Sequence, residues 1–151
     1  MFTIRTATTA DVEAVVHHRC EMYRSMGCND NAALDRVAAN CRPYFESAIS
    51  AGSYRAWMAV TDGEIIGGGG IGLIPWPGNP RDPQCRRAII LNMFVEPGFR
   101  RRGIARALMQ TMIDWCRAEG LVTVDLHASD EGRPLYESMG FMPTNEMRLT
   151  L

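Results

Sequence analysis

No lysine occurs in this chain of 151 residues; all 16 basic side chains are arginine. Lysine self-modification is therefore excluded. A P-loop with its Gly-Lys-Ser or Gly-Lys-Thr ending is absent too, which argues against nucleoside triphosphate hydrolysis. The formal net charge of −1 provides no electrostatic footprint for nucleic acid or for an acidic membrane surface. No apolar run approaches the roughly 20 residues of a membrane span. The N-terminal stretch MFTIRTATTADVEAV has neither a basic n-region nor an apolar h-region, so no secretory signal is expected there. The cysteines, at positions 20, 28, 41, 85 and 116, are odd in number, and no pair has the two-residue spacing of zinc and redox motifs. They read as free thiols of a reducing compartment. The expectation is a cytoplasmic protein with no metal.

An apolar content of 46% and a charged content of 22% are ordinary for a globular chain, and the length suits one domain, taken as residues 1–151. Phe2 to Ala7 alternates apolar and polar residues and reads as a short strand. Thr8 and Asp11 form a capping-box-like start to a helix carrying Val12, Val15, Val16, Met22 and Tyr23, with Gly27 at its end. Asn29-Asp30-Asn31 caps a second helix through Leu34 and Val37. Pro43 is expected to break it, leaving a third piece that ends at Gly52. Tyr54–Val60 and Glu64–Ile74 flank Asp62-Gly63 as the arms of a hairpin. Within the second arm, Gly67-Gly68-Gly69-Gly70-Ile71-Gly72 satisfies the dinucleotide pattern G-x-G-x-x-G. That pattern requires a following helix, and Leu73-Ile74-Pro75-Trp76-Pro77 cannot start one. The glycines instead allow close approach of another backbone or a ligand. Residues 75–84, with four prolines, form a loop.

The stretch from Ile89 to Gly120 organises the chain. Ile89 to Val95 reads as a buried strand, and Pro97-Gly98 stops it. Arg100, Arg101 and Arg102 then precede Gly103-Ile104-Ala105, where helical spacing begins: Ile104, Leu108, Thr111, Met112, Trp115, Cys116. A helix N-terminus carries unpaired N–H groups and positive potential; arginines and a glycine beside it make a site for an anion, most simply a phosphate. An arginine run alone is more often a solvated face, so the residue order has to decide. Leu121 to Leu126 reads as the next strand and residues 127–134 as a polar loop. A short helix closed by Gly140 follows. Phe141-Met142 with Met147–Leu151 reads as a last pair of strands. The order predicts an α/β fold with a single mixed sheet. Its hairpin is antiparallel, and its central strand–helix–strand unit, Ile89 to Leu126, is a right-handed parallel crossover.

The run Arg100-Arg101-Arg102-Gly103-Ile104-Ala105 resembles the acyl-CoA-binding signature of the GNAT superfamily of N-acetyltransferases: Gln or Arg, two residues, Gly, one residue, Gly or Ala. Val95-Glu96-Pro97 before it and Leu108-Met109 after it also look like the family. A second segment, Leu135-Tyr136-Glu137-Ser138-Met139-Gly140-Phe141, resembles the family's Leu-Tyr-x-x-x-Gly-Phe. The resemblance covers roughly residues 88 to 142.

The resemblance implies direct transfer of an acyl group, acetyl in the first instance, from acetyl-CoA to the primary amine of a small molecule or peptide. The rival it leaves open is a non-catalytic CoA-binding or regulatory module. It implies that Tyr136 protonates the departing thiolate; a phenol, with an ordinary pKa near 10, carries its proton at neutral pH. It implies that the main chain at Phe94 and Val95 bonds the pantetheine arm and polarises the acyl carbonyl. Arg100, Arg101, Arg102, Gly103, Ile104 and Ala105 would hold the pyrophosphate, with Arg106 in reach of phosphate. Ser129 stands where the family often has Asn, a shorter arm toward the cofactor. The general base is unassigned among Glu21, Asn92, Asp125 and His127, and Asn92 shares the side of Phe94 if no bulge intervenes. Cys116 reads as packing. Homodimers are common in the family, and no self-complementary stripe selects for one here. The acceptor wall is expected from the first helices and the hairpin, with the 75–84 loop as a further contributor.

Overall fold

The computed structural model describes all 151 residues. Strands β1 (Thr3–Thr6), β2 (Tyr54–Thr61), β3 (Glu64–Pro75), β4 (Arg86–Val95) and β5 (Asp125–Leu126) form one sheet in that order. Its first three junctions are antiparallel, and β4 pairs with β5 in parallel. The helices are α1 (Val12–Ser25), α2 (Asn31–Ala51), α3 (Ile104–Ala118) and α4 (Arg133–Ser138). This is the mixed α/β sheet expected from the element order, with β4, α3 and β5 as its parallel unit.

Period-two alternation builds the layers. Along β2, Tyr54, Ala56 and Met58 pack with Val12, Val15, Val16 and Phe45 of α1 and α2. The intervening Trp57 and Ala59 pack with Leu108, Met109, Met112 and Cys116 of α3. Both faces of the sheet are covered, which is why the inner strands read as nearly continuous apolar runs. The hairpin turn is the expected one: Asp62 and Gly63 have φ of 49° and 81°, the two positive values of a mirror-image turn. At the N-terminus the capping box closes as read, around a short 3-10 turn at Thr9–Asp11 that leads into α1. The Thr8 N–H donates to Asp11 Oδ2 at 2.8 Å, and Arg5 holds the same carboxylate at 2.7 Å.

Three expectations are corrected. Helix α2 runs unbroken through Pro43. Leu34 lies before the proline, Phe45 and Ala48 after it, and all three are buried in the core. Packing on both sides therefore outweighs the ~3 kcal/mol that an interior proline costs. Strand β5 is only Asp125–Leu126, not the whole of residues 121–126. The last strand pair does not form: no strand follows β5, and Met142, Met147 and Leu149 are exposed. A two-residue β5 has no edge long enough to pair another strand. No helix is long and apolar enough to cross a membrane.

The glycine run of β3 has a packing reason. A Cβ at Gly68 would stand 2.8 Å from His18 Nδ1, one at Gly69 would overlap Met93 Sδ, and one at Gly70 would overlap the Tyr54 hydroxyl. Large side chains lie flat across the strand where it has none of its own. Gly72 is different, since its Cβ would meet Leu91 at an ordinary 3.5 Å. Gly70→Ala is therefore expected to lower unfolding free energy by ~1–3 kcal/mol, the usual cost of overpacking. Gly72→Ala should change it by less than about 1 kcal/mol. Urea unfolding of both variants checks this; equal midpoints for the two would refute it.

Candidate active site

The site begins where two strands part. β4 and β5 pair only at Ile89 with Asp125 and Ile90 with Leu126. From Leu91 to Val95, β4 continues bonded to β3 alone. A bulge lies in this part: Gly70 faces Leu91 and Gly68 faces Phe94, so Gly69 stands opposite both Asn92 and Met93. Asn92 takes a positive φ of 59°. The extra residue lies between Leu91 and Phe94, and Asn92 and Phe94 both reach α1, Asn92 through Arg19 and Phe94 through His18. After the bulge, strand alternation assigns the main-chain edges. The Glu96 N–H donates to the Ile66 carbonyl of β3 at 3.0 Å. Phe94, two residues back, turns the same way. Met93 and Val95 turn their N–H and C=O groups to the side that β5 has vacated.

That side is a cleft of about 680 Å³. Leu91–Val95 form its floor, and Arg19, Met22, Tyr23 and Met26 of α1 form one wall. Arg100, Arg101 and Gly103–Arg106 stand at one end, with His127, Ser129, Gly132, Leu135 and Tyr136 opposite α1. The basic turn uses left-handed backbone at Arg101, φ 62°, and at Gly103, φ 80°, where glycine carries no steric cost. Ala107 is the first residue of α3 whose N–H finds an acceptor, the Gly103 carbonyl at 3.0 Å, so the N–H groups of Gly103, Ile104, Ala105 and Arg106 are unpaired. A Cβ at Gly103 would meet nothing within 4 Å, so the space over these donors is open.

The arginines of the turn divide. Arg100 Nε donates to the Val95 carbonyl at 3.0 Å, and its Nη1 reaches Glu131 at 3.4 Å. Arg106 donates to Ser138 Oγ at 2.6 Å. Arg102 leaves the cleft: it donates to the Gly98 carbonyl at 2.9 Å and lies over the Phe99 ring. Arg101 is exposed and makes no ion pair in the chain.

Tyr136 rests its ring on Gly132, where a Cβ would come within 2.8 Å of it, and meets Phe141 edge-on at 6.1 Å. Burial pushes its phenol above the ordinary range, with no hydrogen bond contributing. The Ser129 hydroxyl accepts the Gly132 N–H at 3.1 Å and shapes the turn that carries Tyr136. Of the four candidate bases, Glu21 is paired with Arg24 at 3.1 Å and Asp125 with Arg87 at 2.8 Å, and neither lines the cleft. Asn92 and His127 do line it. His127 Nε2 lies 3.1 Å from Glu146. Cys116 is buried on α3, its thiol pushed up to about 11 by desolvation, as befits a packing residue.

The sequence places the acceptor wall on the first helices without singling out His18 or Arg19. His18 is buried between Gly68 and Phe94, its ring 5.5 Å from that of Phe94. Arg19 donates to Asn92 Oδ1 at 2.7 Å and to Tyr23 Oη at 3.1 Å, and Asn92 Nδ2 donates to the buried Tyr54 hydroxyl at 3.3 Å. The only local signal was helical spacing, and it cannot say that α1 lies over β4.

The sequence model of the acetyltransferase (GNAT) family matches residues 12–141, and the chain belongs to that family. A GCN5-related N-acetyltransferase from Ralstonia eutropha superposes with a TM-score of 0.94 at 34% identity, over 100% of this chain and 99% of that one. A predicted acetyltransferase from Clostridium acetobutylicum, solved with acetyl-CoA, superposes with a TM-score of 0.90 at 26% identity, over 100% and 96%. Human N-acetyltransferase 8 is 32% identical over 95 residues, which are 60% of this chain and 39% of that protein. The chain covers between 38% and 51% of the length of the curated relatives it matches.

His18 gives a testable pH dependence. Desolvation first, and the neighbouring His17 second, lower its pKa from 6.5 to about 4. Between those values the unfolded chain binds a proton that the folded chain does not. The stability is present above about pH 6.5 and is lost as pH falls toward 4, by on the order of 3 kcal/mol. His18→Leu should flatten this part of the stability–pH curve, measured by urea unfolding between pH 7 and 4.5. An unchanged slope would show that His18 is not the group responsible.

Proposed function

We propose that the chain transfers an acetyl group from acetyl-CoA to a primary amine by direct attack. One observation carries this reading: the open edge of β4 lies in a single cleft between an N–H-rich helix start and an unpartnered tyrosine hydroxyl. The residues fit the donor. Unpaired N–H groups at Gly103–Arg106 with open space above them suit phosphates, aided by Arg101. The free edge at Met93 and Val95 suits the amide-bearing pantetheine arm. Acetyl-CoA supplies the thioester, and the chain supplies the rest. Phe94 then contributes its ring against α1 and not its main chain, and Arg102 stabilises the turn without touching phosphate.

In this reading the Met93 N–H, on the edge that β5 has vacated, stabilises negative charge building on the acyl oxygen. The amine nitrogen bonds to the acyl carbon, the carbon–sulfur bond breaks, and Tyr136 gives its proton to the departing sulfur. Its raised pKa keeps that proton in place until charge develops. The amine loses a proton to His127, directly or through a water.

Acetyl-CoA is expected to raise the melting temperature, because it binds the folded chain alone. Gly103→Val should lose most of that shift, since a branched side chain would fill the space over the donors, whereas Arg101→Ala should keep more of it. Equal shifts in both variants would remove the turn from the donor site.

Tyr136→Phe keeps the ring and removes the hydroxyl. Turnover should fall on the order of 10²-fold, the lower range for a positioned acid, with melting temperature and acetyl-CoA affinity close to wild type. Steady-state CoA release decides it, and undiminished turnover would leave Tyr136 a packing residue.

A further inference from the structure

Arg19 is a half-buried cation without an anion. Its guanidinium is fixed by neutral groups only: Asn92 Oδ1 at 2.7 Å, Tyr23 Oη at 3.1 Å and the Tyr23 ring at 5.2 Å. Five residues further along α1, Arg24 has its carboxylate, Glu21 at 3.1 Å; Arg19 makes no such pair. It lines the cleft and also borders a second cavity of about 210 Å³, whose other walls are Cys41, Tyr44, Phe45 and Leu91. Leu91 borders both spaces too, so the second cavity lies beside β4 just before the free edge where the acetyl group would sit. An apolar chamber of about 150 Å³ holds a benzene ring, so a cavity of about 210 Å³ has room for an aromatic or branched aliphatic arm.

We propose that the acceptor is a small amine carrying a carboxylate a few bonds away and an apolar arm, with an apolar α-amino acid as its simplest member. This rests on the acetyl-transfer reading above. The guanidinium fork suits a carboxylate, and an anion supplied by the substrate completes the charge that Arg19 leaves uncompensated. The arm fills the second cavity and turns the amine toward β4. Arg19 also disfavours a second positive charge nearby, which favours the neutral, attacking form of the amine. The same cation disfavours polyamines, as do Arg100, Arg101, Arg106 and Arg148 on the cleft walls. The products are the N-acetyl amino acid and CoA.

The test measures CoA release with matched pairs, L-phenylalanine against 2-phenylethylamine and L-leucine against 3-methylbutylamine, with spermidine and glucosamine 6-phosphate alongside. In the wild type the amino acid should exceed its decarboxylated partner in kcat/KM by on the order of tenfold or more, as expected when a polar site loses the group it binds. Arg19→Met should bring the ratio near unity and Arg19→Lys should restore part of it, with the acetyl-CoA melting shift retained in both. Cys41→Phe, which narrows the second cavity, should lower kcat/KM for phenylalanine by on the order of tenfold while sparing alanine. Equal losses for phenylalanine and alanine would overturn the placement of the arm. Preference for a decarboxylated amine, spermidine or glucosamine 6-phosphate would overturn the carboxylate assignment and leave acetyl transfer standing. Acetyl-CoA stabilisation without CoA release from any amine would overturn the transfer reading itself, and this inference with it.

Discussion

Everything at the site depends on β4 leaving β5 after Ile90. A strand inside a sheet has no main-chain groups to spare, because buried N–H and C=O groups must be paired. Here the parallel ladder stops after two residue pairs, and the edge of Leu91–Val95 is left to the cleft. The fold meets that demand in part from within, since Arg100 donates to the Val95 carbonyl. The rest is available to a ligand that brings its own donors and acceptors. The anion-binding turn follows directly where β4 ends, and Tyr136 enters on the segment that follows β5. The two strands that separate therefore carry the two ends of the site.

The opposite face of β4 holds that edge in position. Gly68 and Gly70 give up their side chains so that His18 and Tyr54 can lie across β3. Their bulk supports Phe94 and Asn92, and the Asn92 bulge re-aims the last residues of the strand. The arrangement places a neutral histidine and a tyrosine in the interior, where each charged form is disfavoured by desolvation. The glycine run that formally matches a nucleotide fingerprint is thus a packing device.

Family membership at residues 12–141 and close superposition over the whole chain agree with the motif reading at Arg100–Ala105 and Leu135–Phe141. The acceptor side stands apart from those motifs. Its proposed walls come from α1, α2 and the bulged part of β4, and the helices lie many tens of residues before the strand. Arg19 and Asn92, 73 residues apart in the chain, show why no spacing rule could have joined them.

Local spacing was enough for the element order, the hairpin turn at Asp62-Gly63, the capping box at Thr8, and the strand–turn–helix around Gly103, because each is decided within a few residues by backbone preference and apolar period. Pro43 and the chain end were misread from the same local rules. Packing of Leu34, Phe45 and Ala48 carries α2 through its proline. The shortness of β5 denies the final residues a partner. Only the tertiary structure decided that Met93, in place of Phe94, joins Val95 in turning its main chain to the cleft, that Arg102 turns away from it, and that Arg19 stands there without a carboxylate. Those outcomes depend on a strand parting from its neighbour and on contacts between distant segments, and neither leaves a periodic trace in the sequence.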